Sequence, residues 1–291
     1  MGARARDIVE EYAGALVQHG ALNDRIYLLR APDPADRALP GKLLEKARGH
    51  GYSKIFAKIP RSGGRAFFAA GFRVEAEVPG FFRGREDALF LCRYLDARRA
   101  RERRRRRHEA VLSLARGKRA SAVGKKHETA AVRRCGEADV ARMAELYADG
   151  FRSYPFPIHD PDYLLETMRS HVVYFGAEVG GKLVALASAE QSPRDRNAEM
   201  TDFITLPQWR GRGLAGRLLE RMESHARAGG VAVAYTIARA LSPGMNSVFA
   251  RSGYRYGGRL INNTNIAGSL ESMNVWYKPL AKRPGRKREF L

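Results

Sequence analysis

The residues best placed to do chemistry are Gln208-Trp209-Arg210-Gly211-Arg212-Gly213-Leu214-Ala215. This run follows a segment patterned as a strand and opens one patterned as a helix. Glycines at 211 and 213 let the backbone approach a ligand closely, and a helix beginning near Gly213 offers unpaired amide donors and the positive end of its dipole. Together these features make a cradle for a pyrophosphate. Arg210, Arg212 and Arg217 add charge for phosphate oxygens. The plainer reading is an ordinary strand-to-helix turn. No Gly-Lys-Ser/Thr closes the run, and the third glycine of the dinucleotide fingerprint is missing.

The elements around the loop alternate helix and strand. EADVARMAELYADGF is amphipathic, with Val140, Met143 and Tyr147 on one face. DPDYLLETMRSH is a second helix, with Asp160 as N-cap and Pro161 at its first position. VVYFGAEV and KLVALASAE flank Gly180-Gly181 as a hairpin, and AEMTDFITL is the next strand. After the loop, Leu214, Leu218 and Met222 stripe a helix. VAVAYTIAR is a strand, PGMNSVFARSGY a short helix stopped at Gly253, and the remainder a closing antiparallel pair. Upstream, IVEEYAGALV spaces Ile8, Tyr12 and Leu16 as a helix would. RIYLL is a strand, GKLLEKARGHG a helix and YSKIFAKIP a strand, and VEAEVPGFFRGREDALFLCRYL holds two more strands.

Composition narrows the classes. The net charge is +21, with 52 basic and 31 acidic residues. Residues 98–126 hold 13 Lys/Arg against 2 Glu, and residues 278–291 hold 6 against 1, so these two stretches carry most of the excess. No aromatics interleave with the arginines of ARRARERRRRRHEAVLSLARGKR, as base stacking would require, so a solvated connector is favoured over a nucleic-acid arm. No apolar run is long enough to span a membrane. Cys92 and Cys135 are far apart and unpaired in pattern, and the N-terminal residues lack the apolar core of a secretory signal, which suits a reducing cytoplasm. The seven histidines show no metal-ligand spacing, so no metal is expected. Oligomeric state is not legible.

The pattern Gln/Arg-x-x-Gly-x-Gly/Ala after a strand ending in proline (FITLP) resembles the acetyl-CoA-binding motif of the GNAT superfamily. The resemblance runs over about residues 128–280. More closely, FRSYPFPIHDPDYL, ASAEQSPRDRNAEMTDFITLP, AYTIARALSPGMNSVFARSGY and LINNTNIAGSLESMNVWYK resemble the β-lysine N-acetyltransferases, as do NDRIYLL, YSKIFAKIP and VPGFFRGREDALFLCRYL further upstream. The resemblance implies a GNAT fold, a mixed and largely antiparallel sheet flanked by helices. It is expected to follow a smaller, degenerate GNAT-like α/β domain. The expected bounds are 1–95 for the N-terminal domain, 96–127 for the basic connector, 128–280 for the acetyltransferase domain and 281–291 for a basic tail. The implied reaction transfers acetyl from acetyl-CoA to the ε-amine of β-lysine, making the osmolyte Nε-acetyl-β-lysine. Another small amine or a protein amine is the alternative acceptor. A CoA-binding regulatory protein, or a nucleic-acid binder using the connector, is the alternative class.

The resemblance also implies roles. An aliphatic ammonium with a pKa of about 10.4 must lose a proton before it attacks a thioester. Glu199 matches the position of a catalytic glutamate in many GNAT enzymes; the other reading is a solvent-facing strand carboxylate. Asp202 lies on the opposite face of an ideal strand, and a bulge would bring it round, either to pair with a substrate ammonium or simply to anchor a loop. Phe203, Ile204 and Thr205 match the pantetheine-binding strand, whose amides also suit an oxyanion. Asn246 matches a cofactor contact or, equally, a helix cap. Phe249 stands where many GNAT enzymes have a tyrosine general acid, which leaves water or Tyr254 for that role. Asn262, Asn263, Asn265 and Glu271 suit a zwitterionic substrate or simply a polar hairpin.

The N-terminal segment reads as a half-copy of the acetyltransferase unit. GKLLEKARGHGYSKIFAKIP parallels GRLLERMESHARAGGVAVAYTIAR, with Phe67 against Phe249 and Gly71-Phe72 against Gly253-Tyr254. In place of the ligand loop stands APDPADRALP, whose acids would repel a pyrophosphate. No cofactor is expected to bind there.

Overall fold

The computed structural model describes residues 7–32, 36–118, 130–150, 156–266 and 268–281. The N-terminal half runs β1 (Ile8–Tyr12), β2 (Ala15–Gly20), β3 (Arg25–Arg30), α1 (Leu39–Gly49), β4 (Lys54–Pro60), α2 (Gly64–Ala69), β5 (Arg73–Phe82) and β6 (Glu86–Tyr94). Two helices follow, α3 (Ala97–Ala100) and α4 (Arg105–Gly117). The C-terminal half runs β7 (Ala131–Arg134), α5 (Val140–Gly150), α6 (Pro161–Ser170), β8 (Val172–Val179), β9 (Lys182–Ser192), β10 (Asn197–Thr205), α7 (Leu214–Ala228), β11 (Val233–Arg239), α8 (Pro243–Arg251), β12 (Arg255–Ile266) and β13 (Ser269–Pro279).

The first expected helix is a correction. Residues 8–20 form the antiparallel hairpin β1–β2, paired from Ile8↔His19 to Tyr12↔Ala15. Ala13 and Gly14 both have positive φ, 52° and 75°, as a two-residue primed turn demands. Ile8 and Val9 are exposed on this edge strand, so the helical spacing of Ile8, Tyr12 and Leu16 reflected no buried face.

All strands join one sheet in the order β1-β2-β3-β4-β6-β5-β12-β13-β11-β10-β9-β8-β7. The two halves share their connectivity. A parallel β3–α1–β4 unit in one answers a parallel β10–α7–β11 unit in the other. A short helix and an antiparallel pair then follow in each, with β6 inserted between β4 and β5 as β13 is between β11 and β12. Details recur as well. Phe72 N–H bonds Phe67 O at 3.0 Å and Tyr254 N–H bonds Phe249 O at 3.0 Å. The ring pairs Phe67–Phe72 and Phe249–Tyr254 sit 5.1 and 5.2 Å apart, both edge-on. Register shifts fall at Val74/Ala76 and Val78/Phe82 in β5, and at Tyr256/Gly258 and Leu260/Thr264 in β12.

The halves meet where β5 and β12 pair at Ala76↔Gly258. A Cβ on Gly258 would press into the Glu75 carbonyl and the Ala76 backbone, and its φ of +148° disfavours any L side chain. Gly258→Ala should therefore destabilise the protein by roughly 1–3 kcal/mol, read as a lowered urea midpoint. An unchanged midpoint would show that the joint tolerates a side chain.

β4 and β11 are five strand spacings apart in the sheet. Flat, that is about 24 Å. Yet Lys58 of β4 lies 3.0 Å from the Tyr235 hydroxyl of β11, so the sheet curls until its two halves face each other. Helices α1 and α7 cover the outer faces. Between the inner faces lies a shared core that includes Tyr27, Phe56, Phe90, Tyr235, Leu260 and Val275. The basic connector is not wholly solvated. Leu112 and Ala115 of α4 are buried in the α7-side core, and Arg259 of β12 pairs with Glu102 and Glu109. Residues 119–127 of the expected connector and 282–291 of the expected tail lie outside the described residues.

Candidate active site

α7 opens as the sequence pattern requires. Pro207–Trp209 make one 3-10 turn, and Gly211 and Gly213 both adopt a φ of 77°, with Gly213 as the left-handed N-cap. Nothing lies within 4 Å of a Cβ placed on either glycine, so this backbone faces open space. Arg210 is held by a 3.1 Å bond to Thr205 O, Arg217 by one of 2.6 Å to Ala130 O, and Arg212 lies 4.6 Å over the Trp209 ring. Leu214 buries its side chain in the core, which leaves its amide to face a ligand; Ala215 is half-buried. The loop fits a pyrophosphate. The corresponding start of α1 is different: the Asp36 carboxylate accepts the Ala38 amide at 2.8 Å and pairs with Lys42 at 2.9 Å. Residues 33–35 of that segment lie outside the described residues.

β10 and β11 pair in parallel only from Asn197↔Val233 to Glu199↔Tyr235 among the described residues. Beyond that point β10 bulges between Thr201 and Ile204, with Asp202 at a φ of 54°. Phe203 packs edge-on against Phe249 at 5.6 Å, Ile204 enters the α5–α6 core, and Thr205 leads to the glycine loop. The backbone of residues 203–205 lies beyond the last paired residues of β10 and β11.

At the mouth of this split lies a polar cluster. Glu199 is the parallel partner of Tyr235, and its carboxylate lies near the Tyr235 hydroxyl, the Ile237 amide and Lys58. Glu190, its direct neighbour across β9–β10, and Asp202 complete a set of three carboxylates. The bulge does turn Asp202 toward this face, where its carboxylate accepts from Ser188. Burial, with the neighbouring charges of Glu199 and Asp202, pushes Glu190 up to about 8. Burial also raises Glu199, while Lys58, the Tyr235 hydroxyl and the Ile237 amide pull it down. Glu199 is half-buried in this cluster.

Glu190, Tyr235, Tyr27 and Lys58 escaped the sequence reading. The signal for Lys58 was present in KIFAKIP, where Lys54, Phe56 and Lys58 alternate with Ile55, Ala57 and Ile59. An alternating strand normally turns such lysines to water, and only the curl of the sheet buries them.

Several expected residues serve the architecture instead. Asn246 is fully buried; its amide donates to Arg239 O and Ser242 O, and its Oδ1 accepts from Asn274 and Trp276. That exhausts its side-chain capacity, so it ties α8 to β13 and does not hold a cofactor. Tyr254 is fully buried with its hydroxyl toward Glu223, far along α7 from the glycine loop. Burial and Glu223 hold its pKa well above the ordinary phenol range.

Asn262 donates to Arg99 O and Arg101 O, and Asn265 binds Leu22 O through its side chain and Asn23 Oδ1 through its amide. Both fasten β12 to the N-terminal half. Glu271 is occupied by a two-bond pair with Arg239, at 2.7 and 2.8 Å. Asn263 differs: its carbonyl accepts from Arg25, while its buried Oδ1 has no partner among the described residues.

Comparison with known proteins agrees with this geometry. Residues 140–254 match the acetyltransferase (GNAT) family. Over 272 residues the chain is 34% identical to a β-lysine N(6)-acetyltransferase of Methanococcus maripaludis, covering 92% of this chain and 97% of that one. A β-lysine N(6)-acetyltransferase of Methanosarcina mazei is 45% identical over 144 residues, 50% of this chain and 53% of that one. The N-acetyltransferase YodP of Bacillus subtilis is 33% identical over 270 residues, 91% and 96% of the two chains. The chain therefore belongs to the GNAT acetyltransferase family, whose members use acetyl-CoA as co-substrate, and is an N-acetyltransferase.

Proposed function

We propose that the protein acetylates the ε-amine of β-lysine. The observation that carries the reading is a charge pattern. Glu190 and Glu199 sit half-buried side by side, with Asp202 next to them, and Lys58 is the cation that faces both glutamates. Buried charges need partners, and a substrate with two ammonium groups supplies them. Arg25 offers the complement. It is fully buried, makes no ion pair among the described residues, leaves its Nε unbonded and lies 5.2 Å over the Tyr27 ring. Such a guanidinium suits the carboxylate of an amino acid. The Methanococcus maripaludis relative named for β-lysine acetylation, aligned over nearly the whole chain, supports this acceptor.

In this reading Glu199 takes a proton from the ε-ammonium. The free amine forms the new N–C bond to the thioester carbonyl, the C–S bond breaks, CoA leaves as thiolate, and the second proton shed by the nitrogen passes to that thiolate or to water. A thiol pKa of about 8.5 makes that a tolerable leaving group without a tyrosine acid. Asp202 and Glu190 hold the ammonium groups. Acetylation leaves a net-neutral zwitterion, a charge state that suits an osmolyte.

The test compares β-lysine with 1,5-diaminopentane, which lacks the carboxylate. Arg25→Met should raise the KM for β-lysine by about 10–100-fold, the cost of one charged hydrogen-bonded contact. It should change the KM for the diamine little. β-Lysine should also outperform spermidine, histone-like peptides and aminoglycosides. Equal or better rates with any macromolecular amine would sink the acceptor assignment.

A further inference from the structure

We propose that the N-terminal half completes the active site of the C-terminal half: Lys58 is a positioning residue for Glu199, acting through the Tyr235 hydroxyl. The proposal rests on Glu199 being the base.

The geometry is a short chain of contacts. Lys58 Nζ donates to Tyr235 Oη at 3.0 Å, and Tyr235 is the direct parallel partner of Glu199 across β10–β11, which sets its hydroxyl beside the carboxylate. Lys58 Nζ lies 5.3 Å from the ring centres of both Tyr27 and Tyr235, so two aromatic faces hold the ammonium in place. Burial opposes its charge, and the phenols and Glu199 outweigh that, so its pKa stands above the ordinary lysine value.

The shared connectivity explains how a lysine came to sit there. Tyr52 N–H bonds Ala47 O just as Val231 N–H bonds Ala226 O, which aligns Lys54 with Val233. Their parallel partners are Arg25 and Asn197, so Tyr27 occupies the place of Glu199. By the same register Phe56 answers Tyr235, and Lys58 answers Ile237. The N-terminal half thus has aromatics where the C-terminal half has its acid and phenol. At the third place it has a cation, and the curl of the sheet delivers that cation to the other half's acid.

The charged and titratable groups around Glu199 come from every element packed on it. They are Lys58 on β4, Tyr27 on β3, Tyr235 on β11, Glu190 on β9 and Asp202 on β10, with Tyr163 of α6 and Tyr174 of β8 beside Glu190 and Asp202. Lys58 is the one cation in this set. Without it, Glu199 and Glu190 lose the cation that faces them both, and each becomes harder to ionise. Glu199 works as its carboxylate, so activity is present above its pKa and lost as pH falls through it. Losing Lys58 moves that loss to higher pH.

The test is kcat against pH at saturating acetyl-CoA and β-lysine, with circular dichroism to verify folding. Lys58→Met should shift the acid limb upward by about one pH unit or more, with turnover recovering at higher pH. Lys58→Arg should restore most of the wild-type profile. Tyr235→Phe, which conserves volume and breaks the chain in its middle, should shift the limb in the same direction; it decides the matter should Lys58→Met not fold. Glu199→Gln separates the two readings. If it leaves the acid limb in place, Glu199 is not the base. If it removes the limb while Lys58→Met and Tyr235→Phe leave the wild-type profile unmoved, or lower kcat equally at all pH, the positioning role is wrong.

Discussion

Glu199→Gln is expected to lower turnover at neutral pH by roughly 10²–10⁴-fold, the usual contribution of a general base. The substitution keeps the shape of the side chain and an oxygen near Tyr235 and the Ile237 amide. It removes only the capacity to take a proton. Acetyl-CoA affinity, measured by calorimetry, should change little if the glycine loop at 210–215, beyond the far end of β10, is the phosphate cradle. Burial holds the Glu199 pKa above that of an exposed carboxylate. The wild-type rate should therefore fall on acidification at a higher pH than an exposed glutamate would give. Undiminished turnover of the variant across the pH range would remove Glu199 from the mechanism.

Gly213→Val is expected to abolish the thermal stabilisation that acetyl-CoA confers. A ligand at 100 times its Kd stabilises by about 2.7 kcal/mol, and a 100-fold weaker affinity leaves about 0.4. Two effects act together. A φ of 77° is a true outlier for a β-branched residue, so the cap of α7 must rearrange. The new side chain also projects into open space, where no protein atom lies within 4 Å and where the pyrophosphate would approach. Gly213→Ala should be the milder variant, since it adds only the Cβ. A folded Gly213→Val that keeps the full ligand-induced shift in melting temperature would place the cradle elsewhere.

Much of this was legible in the sequence because it is local. The loop at 208–215 is defined by glycine spacing, and the cap of α6 by Asp160 and Pro161. The β8–β9 turn is announced by Gly180 and Gly181, and the half-copy pattern by Phe67 and Gly71 against Phe249 and Gly253. Each depends on residues within a dozen positions of one another. The first helix failed for the same reason in reverse. The spacing of Ile8, Tyr12 and Leu16 suits a helix, but Ala13-Gly14 makes a two-residue turn that pairs the flanking segments as strands.

The asparagines of β12 show the limit of type-based reading. Amides at 262 and 265 look like substrate ligands, yet they bond to Arg99, Leu22 and Asn23, which only the folded chain brings near. Asn246 and Tyr254 likewise matched functional positions, and tertiary contacts with Trp276 and near Glu223 give them structural work.

By itself the sequence determined most of the order of elements in the C-terminal half and the glycine turn that opens α7, because strand alternation and glycine conformation are short-range properties. The tertiary structure decided which charges share one interior. A sheet joined at Ala76↔Gly258 curls until β4 meets β11, and this brings Lys58 to Tyr235 across 177 positions of chain. No periodicity encodes that meeting. It arises because the twist and coil of a long sheet accumulate over its strands, and because the apolar inner faces of both halves must be covered.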